Sequence, residues 1–151
     1  MFNILITDDS IINQLSVKQC IEDLNYHTMT ASNGKEAIEI LRTNHVDLII
    51  LDLQMPVMDG FDFLDWLQNY EDFNDIPIIV YSSMTDEETV REVLSYKIFG
   101  YHFKPSTQVD QLLFSNAIKS AVRYRKSKLE LSQSNKIINN FVNKKKMANA
   151  I

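Results

Sequence analysis

Three aspartates in this chain stand where an apolar run gives way to a polar loop. Asp8 and Asp9 follow FNILIT, and Asp52 follows Leu48-Ile49-Ile50-Leu51. If the two runs are neighbouring strands, the three carboxylates converge at one sheet edge. Two like charges about 4 Å apart repel by roughly 4 kcal/mol at an effective dielectric of about 20. Such a cluster must protonate, spread out or bind a cation. Oxygen-only donors at that charge density favour Mg²⁺, which keeps several waters and an open position for phosphate. The competing reading of Asp8-Asp9-Ser10 is helix capping and nothing more.

The elements that would position these groups follow from periodicity. Four apolar residues in a row at 48–51 suit a strand buried on both faces, the parallel kind. Ligands of open α/β sheets bind at the carboxyl ends of such strands. Further strands are expected at 2–7, 26–31, 78–81 and 100–103. Between them lie helical patterns at 11–24 (Val17, Cys20, Ile21 and Leu24 inward), 35–43, 61–70 and 86–95, the last with Val90, Val93 and Leu94 on one face. The three glycines (Gly34, Gly60, Gly100) and three prolines (Pro56, Pro77, Pro105) all fall at these boundaries. Five strands alternating with helices predict an α/β fold, a doubly wound five-stranded parallel sheet with helices on both faces and right-handed crossovers.

Composition narrows the class. A chain of 151 residues makes one domain with a small appendage, and its 45% hydrophobic content suffices for a core. A single cysteine, Cys20, excludes an internal disulfide and a cysteine-based zinc site. MFNILITDDS does not read as a signal peptide and no stretch approaches a membrane span, so a cytoplasmic location is expected. The charge of −5 is divided unevenly. Residues 1–110 hold 19 acidic and 6 basic side chains, net −13, whereas residues 111–151 hold 1 and 9, net +8.

These pieces together resemble the receiver domain of two-component response regulators over about residues 2–122. The carriers are ILITDDS, LDLQMPVMDG, PIIVYSS and YHFKP, in that order and each at a strand end. The resemblance implies the flavodoxin-like (βα)5 fold and a phosphoacceptor that catalyses only its own phosphorylation and dephosphorylation. Asp52 would accept the phosphoryl group from a sensor histidine kinase, a phosphotransfer protein or a small donor. Asp9 and Asp52 would ligate Mg²⁺ with the backbone carbonyl of Gln54, and Asp8 would act mainly through a metal-bound water. Lys104 would set a positive charge on the phosphoryl oxygens and Ser82 would hydrogen-bond one of them. Ser82 and Tyr101 would form the switch, altering the face made by the helix at 86–95, the strand at 100–103 and the helix after Pro105. The Lys104–Pro105 peptide would be cis. Gln54 and Met84 would tune the dephosphorylation rate. Outside the resemblance, Tyr101 reads as an edge-strand aromatic and Ser82 as a strand-end cap. Lys97-Ile98 stands where many receivers have Gly-Ala, which is expected to strain or reshape that turn.

The tail is a separate matter. A fifth helix should start near Thr107 with Leu112, Leu113, Ala117, Ile118, Ala121 and Val122 inward. Phe114, Ala117, Ala121, Tyr124, Lys128, Leu131, Asn135, Ile138 and Val142 then form a heptad-like seam. Residues 123–151 are thus expected to be a basic helical extension, a linker or a dimerisation segment, with a frayed, solvated tail as the alternative. A homodimer would use this helix or the switch face. Lys144-Lys145-Lys146 is a weak signal for nucleic acid, and the tail is too short for a DNA-binding domain of its own. Three other classes are disfavoured. An aspartate-nucleophile phosphatase of the haloacid dehalogenase type needs an acid where Gln54 stands. A flavin carrier would have its phosphate repelled by Asp8-Asp9. A partner-binding pseudo-receiver has no need of the full acid, serine and lysine set.

Overall fold

The computed structural model describes residues 2–21, 26–105 and 107–150. Strands β1 (Asn3–Thr7), β2 (His27–Ala31), β3 (Leu48–Leu51), β4 (Ile78–Ser82) and β5 (Gly100–Phe103) form one parallel sheet in the order β2-β1-β3-β4-β5. Helices α1 (Ile11–Ile21), α2 (Gly34–Thr43), α3 (Gly60–Gln68), α4 (Glu87–Leu94) and α5 (Gln108–Asn149) connect and follow the strands. A 3-10 turn lies at Glu71–Phe73. This is the doubly wound architecture expected from the sequence. Its winding reverses between β1 and β3, and Thr7 lies level with Leu51, so Asp8 and Asp52 leave the sheet together.

The strands lack polar alternation because helices cover both faces. Leu5, Ile49, Leu51 and Val80 pack toward α2, α3 and α4, against Ala37, Phe63, Leu64 and Val93 among others. Ile4, Ile6, Leu48, Ile50 and Tyr81 pack toward α1 and α5, against Val17, Ile21, Phe114 and Ile118. Each such side chain, fully buried, stabilises the fold by about 1.5–3 kcal/mol. The helix starts are fixed locally. Asn33, Asp59, Asp86 and Thr107 each accept a backbone N–H from the first turn of the helix they precede.

Several expected faces are corrected. Leu112 and Leu113 are exposed, and Phe114 takes the inner position instead, stacked on Tyr81 with ring centroids 4.0 Å apart. Leu94 likewise faces solvent while Thr89 and Val93 turn inward. The continuous heptad-like seam does not exist, because Phe114 and Ala121 are spent on the sheet. Leu24 lies outside the described residues. The Lys97-Ile98 turn carries no positive φ. The Ile98 N–H closes back on the Tyr96 carbonyl at 2.9 Å, a three-residue turn that any side chain tolerates when φ is negative.

At its other end the docked part of α5 is pinned by Arg125. Its Nη1 donates to the Asp75 carbonyl at 3.0 Å, and its Nε lies 3.8 Å from Asp47 Oδ1. Asp47 also accepts the Asn3 N–H at 2.9 Å. Arg125 belongs to the basic stretch in sequence but is buried. Past Lys126, whose ammonium still lies over the Phe2 and Tyr26 rings, α5 leaves the body, and nearly all of residues 126–149 are exposed.

His102 on β5 sits beside Phe114, and burial pushes its imidazole below the usual 6.5. The fold therefore favours the neutral ring. Its contribution to stability is complete above pH 6.5 and is lost as pH falls through the lower folded value. Thermal midpoints measured from about pH 7.5 down to about pH 5.5 should fall less in His102→Gln than in the unmodified chain. Parallel curves would remove His102 as the cause.

Candidate functional site

The site is assembled by backbone hydrogen bonds at the carboxyl edge of the sheet. The Asp52 N–H donates to the Thr7 carbonyl at 2.9 Å, and the Asp8 N–H donates to the Ala31 carbonyl at 3.0 Å. Carboxylate oxygens of Asp8, Asp9 and Asp52 consequently lie within 4.8 Å of one another, with Asp8 and Asp52 buried and Asp9 exposed. Lys104 follows β5, two strands away from β3, and its N–H is held by the Ser82 carbonyl at 2.9 Å. Its side chain crosses the end of β4 to bridge the acids. Nζ is 2.8 Å from Asp8 Oδ2 and 2.8 Å from Asp52 Oδ2.

The remaining valences are mostly filled. The Leu53 N–H donates to Asp52 Oδ1 at 2.8 Å. Asp8 Oδ1 accepts the Ser10 N–H at 2.8 Å and Asn13 Nδ2 at 3.1 Å. Capping of α1 falls to Ser10, whose Oγ receives the Asn13 N–H at 3.4 Å. Asp9 is left pointing to the open cleft that Gln54 and Met84 also border.

The electrostatics are those of an under-compensated cluster. Burial pushes the Asp52 carboxyl up, and the Asp8 charge adds to this, while the Lys104 contact pulls the other way without prevailing. Burial alone would pull the Lys104 ammonium down, but its bonds to Asp52 and Asp8 more than offset this and hold it up, charged. One ammonium shared by two carboxylates secures its own charge without fully compensating theirs. Three carboxylates and one lysine leave a formal −2, and their donors are all oxygen. That set fits a divalent hard cation such as Mg²⁺.

A second group lies above β4. The Tyr101 hydroxyl donates to the Met84 carbonyl at 2.7 Å, and the Met84 N–H donates to Ser82 Oγ at 3.2 Å. Burial pushes the Tyr101 phenol up, with the nearby Ser82 hydroxyl acting in the opposite sense. Ser82 is buried at the strand end, whereas Ser83 is exposed. Among the described residues no peptide bond is cis, so Lys104–Pro105 is trans, against expectation. Trans is the lower state of an X–Pro bond by about 0.5–1 kcal/mol. In this form the lysine already reaches both acids.

Sequence reasoning brought every one of these side chains to the site but missed their supports. Asn13 holds Asp8, and Gln14, buried on α1, donates to the Asp8 carbonyl at 2.7 Å. The available signal was two polar amides in the first turn of a helix, one of them on its inner face. The loop after Asp52 was expected, but not its conformation. Gly60 N–H donates to the Leu53 carbonyl at 2.9 Å, and a Cβ at Gly60 would stand 2.6 Å from the Asp52 carbonyl oxygen. Only glycine permits that approach. Val57 has a φ of 71°, and the Met58 N–H closes on the Pro56 carbonyl at 2.8 Å around it. This is a γ-turn of the rare, strained hand. It presents the Met58 carbonyl to the Gly34 N–H at 2.9 Å, tying the loop to α2.

Comparison with known proteins gives a consistent result. Residues 4–114 match the family model described as response regulator receiver domain. The polar-differentiation response regulator DivK of Brucella ovis is 31% identical over 93 residues, covering 60% of this chain and 76% of DivK. The receiver domain of a signal transduction histidine kinase from Syntrophus aciditrophicus superposes with a TM-score of 0.71 at 32% identity, over 82% of this chain and 91% of that one. The chemotaxis response regulator CheY4 of Vibrio cholerae superposes with a TM-score of 0.69 at 28% identity, over 80% and 98%.

The turn at Val57 gives a direct test of the loop geometry. A left-handed φ costs a non-glycine residue roughly 1–2 kcal/mol, of which glycine's greater unfolded freedom returns about 0.5–1. Val57→Gly should therefore gain about 0.5–1 kcal/mol and raise the thermal midpoint by about 1–4 °C for a chain of this size. A lowered midpoint would mean that Val57 is not strained in solution.

Proposed function

This chain belongs to the response regulator receiver family, and on that premise we propose that Asp52 accepts a phosphoryl group from a sensor histidine kinase or a phosphotransfer protein. In the transfer, a carboxylate oxygen of Asp52 bonds to phosphorus as the bond to the donor nitrogen breaks, and the donor imidazole leaves. Residues 1–122 are read as the receiver and 123–151 as its extension. The observation that carries the reading is the Lys104 bridge, with Nζ 2.8 Å from both Asp8 and Asp52 inside a three-carboxylate cluster. In-line phosphoryl transfer needs a positioned nucleophile and cations over the equatorial oxygens, and little else from the protein. Asp8, Asp9, Asp52 and the Gln54 carbonyl would hold Mg²⁺, which supplies charge neutralisation to the phosphoryl oxygens when bound.

The residues of the chain have separate tasks. Asp8 keeps Lys104 over the site, and Lys104 exchanges its contact with Asp52 for the incoming phosphoryl oxygens. The Ser82 hydroxyl turns from the Met84 N–H to a phosphoryl oxygen. That releases the short segment leading into α4, whose Met84 carbonyl also anchors Tyr101. A local charge event thus biases an element with two arrangements, the α4-β5-α5 face. A protein donor is favoured by what borders the site. Ile11, Ile12 and Leu15 stand exposed on the first turns of α1, next to Asp9. Among the described residues no helix is long and apolar enough to cross a membrane.

Incubation with a small acyl phosphate, read by intact mass, tests the acceptor. One Mg²⁺-dependent phosphoryl adduct is expected on the unmodified chain and none on Asp52→Ala. An adduct that persists in the variant sinks the assignment of Asp52, and no adduct on a folded wild type leaves a partner-binding module instead.

Met84 borders the cleft but has no group that can orient an attacking water. The phosphorylated form should therefore be long-lived, and Met84→Glu should hydrolyse it several-fold faster. Equal decay of the two adducts by mass would exclude Met84 as the brake.

A further inference from the structure

The long helix α5 carries two apolar faces, and only one of them is used. At about 100° per residue, the buried Phe114, Ile118, Ala121, Val122 and Arg125 project into one sector. Apart from Met147, the exposed large apolar residues of α5 project into the opposite sector, centred roughly 160° away. Tyr124 and Leu131 lie midway along it, and the others fall in two clusters. Val109, Leu112 and Leu113 lie near the start of the helix, and Ile137, Ile138, Phe141 and Val142 lie near its end. Leu112 is 70% exposed and Phe141 is 71% exposed. Between the clusters the same stripe is mostly polar, with Asn116, Lys119, Ser120, Arg123 and Glu130.

We propose that this stripe binds a second copy of the chain, with the two α5 helices packed antiparallel and crossing near Arg125. In that register residue numbers facing each other sum to about 250. Val109 meets Phe141, Leu112 meets Ile138, and Leu113 meets Ile137, so each apolar cluster covers the other's partner cluster. The one acid of the extension then falls into place. Glu130 stands within one residue of the level of Lys119 across the interface, about 1.5 Å along the axis.

Charge selects this arrangement over the parallel one. Side by side in parallel, Lys119, Arg123, Glu130 and Lys145 would each face their own copy, and like charges directly opposed are destabilising. The two acidic bodies would also share one end. Antiparallel, the projecting end of one chain (residues 126–151, net +5) runs beside the acidic body of the other (residues 1–125, net −10). Each body sits on the outer side of its own helix and at the opposite end of the pair, so the two do not collide. A lone, mostly basic helix projecting into water is marginal, and burial of its apolar stripe supplies the missing stabilisation. The proposal does not depend on the phosphoacceptor reading.

The test uses the full chain. Sedimentation equilibrium should give a concentration-dependent dimer, and Ile138→Asp should raise its dissociation constant by at least about tenfold. Lys119→Glu should weaken it as well, and Lys119→Glu with Glu130→Lys should restore it. Direction is read by cross-linking in a Cys20→Ser background. An equimolar mixture of Leu112→Cys and Ile138→Cys chains should link as the mixed pair. A monomer at every concentration overturns the proposal. So does cross-linking in which Ile138→Cys pairs with itself in preference to Leu112→Cys.

Discussion

Three carboxylate side chains held within 4.8 Å of each other, answered by a single ammonium, set the terms for the rest of this molecule. Each close pair of like charges costs on the order of 4 kcal/mol at an intermediate dielectric. A fold that accepts this must hold the acids rigidly and bring in the lysine from elsewhere. The sheet order does both. β1 and β3 are neighbours, so Asp8 and Asp52 emerge side by side, and β4 separates them from β5 by a span that a lysine chain can cross. The lysine backbone is tied to Ser82, which makes the hydroxyl, the ammonium and the acids parts of one frame.

Much of this is legible in the amino-acid sequence. The apolar runs at 48–51 and 78–81 have no polar alternation because both sheet faces are covered, and glycine or proline marks their ends. The acid cluster followed from aspartates at strand termini, and the serine and lysine came with the family resemblance. What sequence could not convey was which of two apolar stripes on α5 meets the sheet. Leu112-Leu113-Phe114 offers both, and periodicity alone is indifferent between them. Only the space beside Tyr81 decides for Phe114. Arg125 was equally opaque. Its partners, Asp47 and the Asp75 carbonyl, are distant in sequence, and nothing local marks one arginine in a basic segment as buried.

The strained turn at Val57 shows a different kind of silence. A β-branched residue argues against a left-handed φ, yet the loop needs that turn to bring the Met58 carbonyl to α2 while Gly60 comes up against the Asp52 backbone. Two contacts made from either end leave the residue between them little choice. The cost sits in the loop that borders the acid cluster, and the contacts at its two ends hold the loop against it.

The anchoring of α5 has a mechanical meaning. Between Thr107, where the helix is capped, and Arg125, where it is clamped, α5 is part of the body. Beyond the clamp, within a single chain, it is a beam fixed at one end, about 36 Å long at 1.5 Å per residue. A change of about 5° in how the docked segment lies on the sheet would move the free end by about 3 Å. Small repacking on the β5 side of the domain would thus become a displacement large enough to make or break side-chain contacts far from Asp52. The helix acts as a pointer, with its pivot at Arg125.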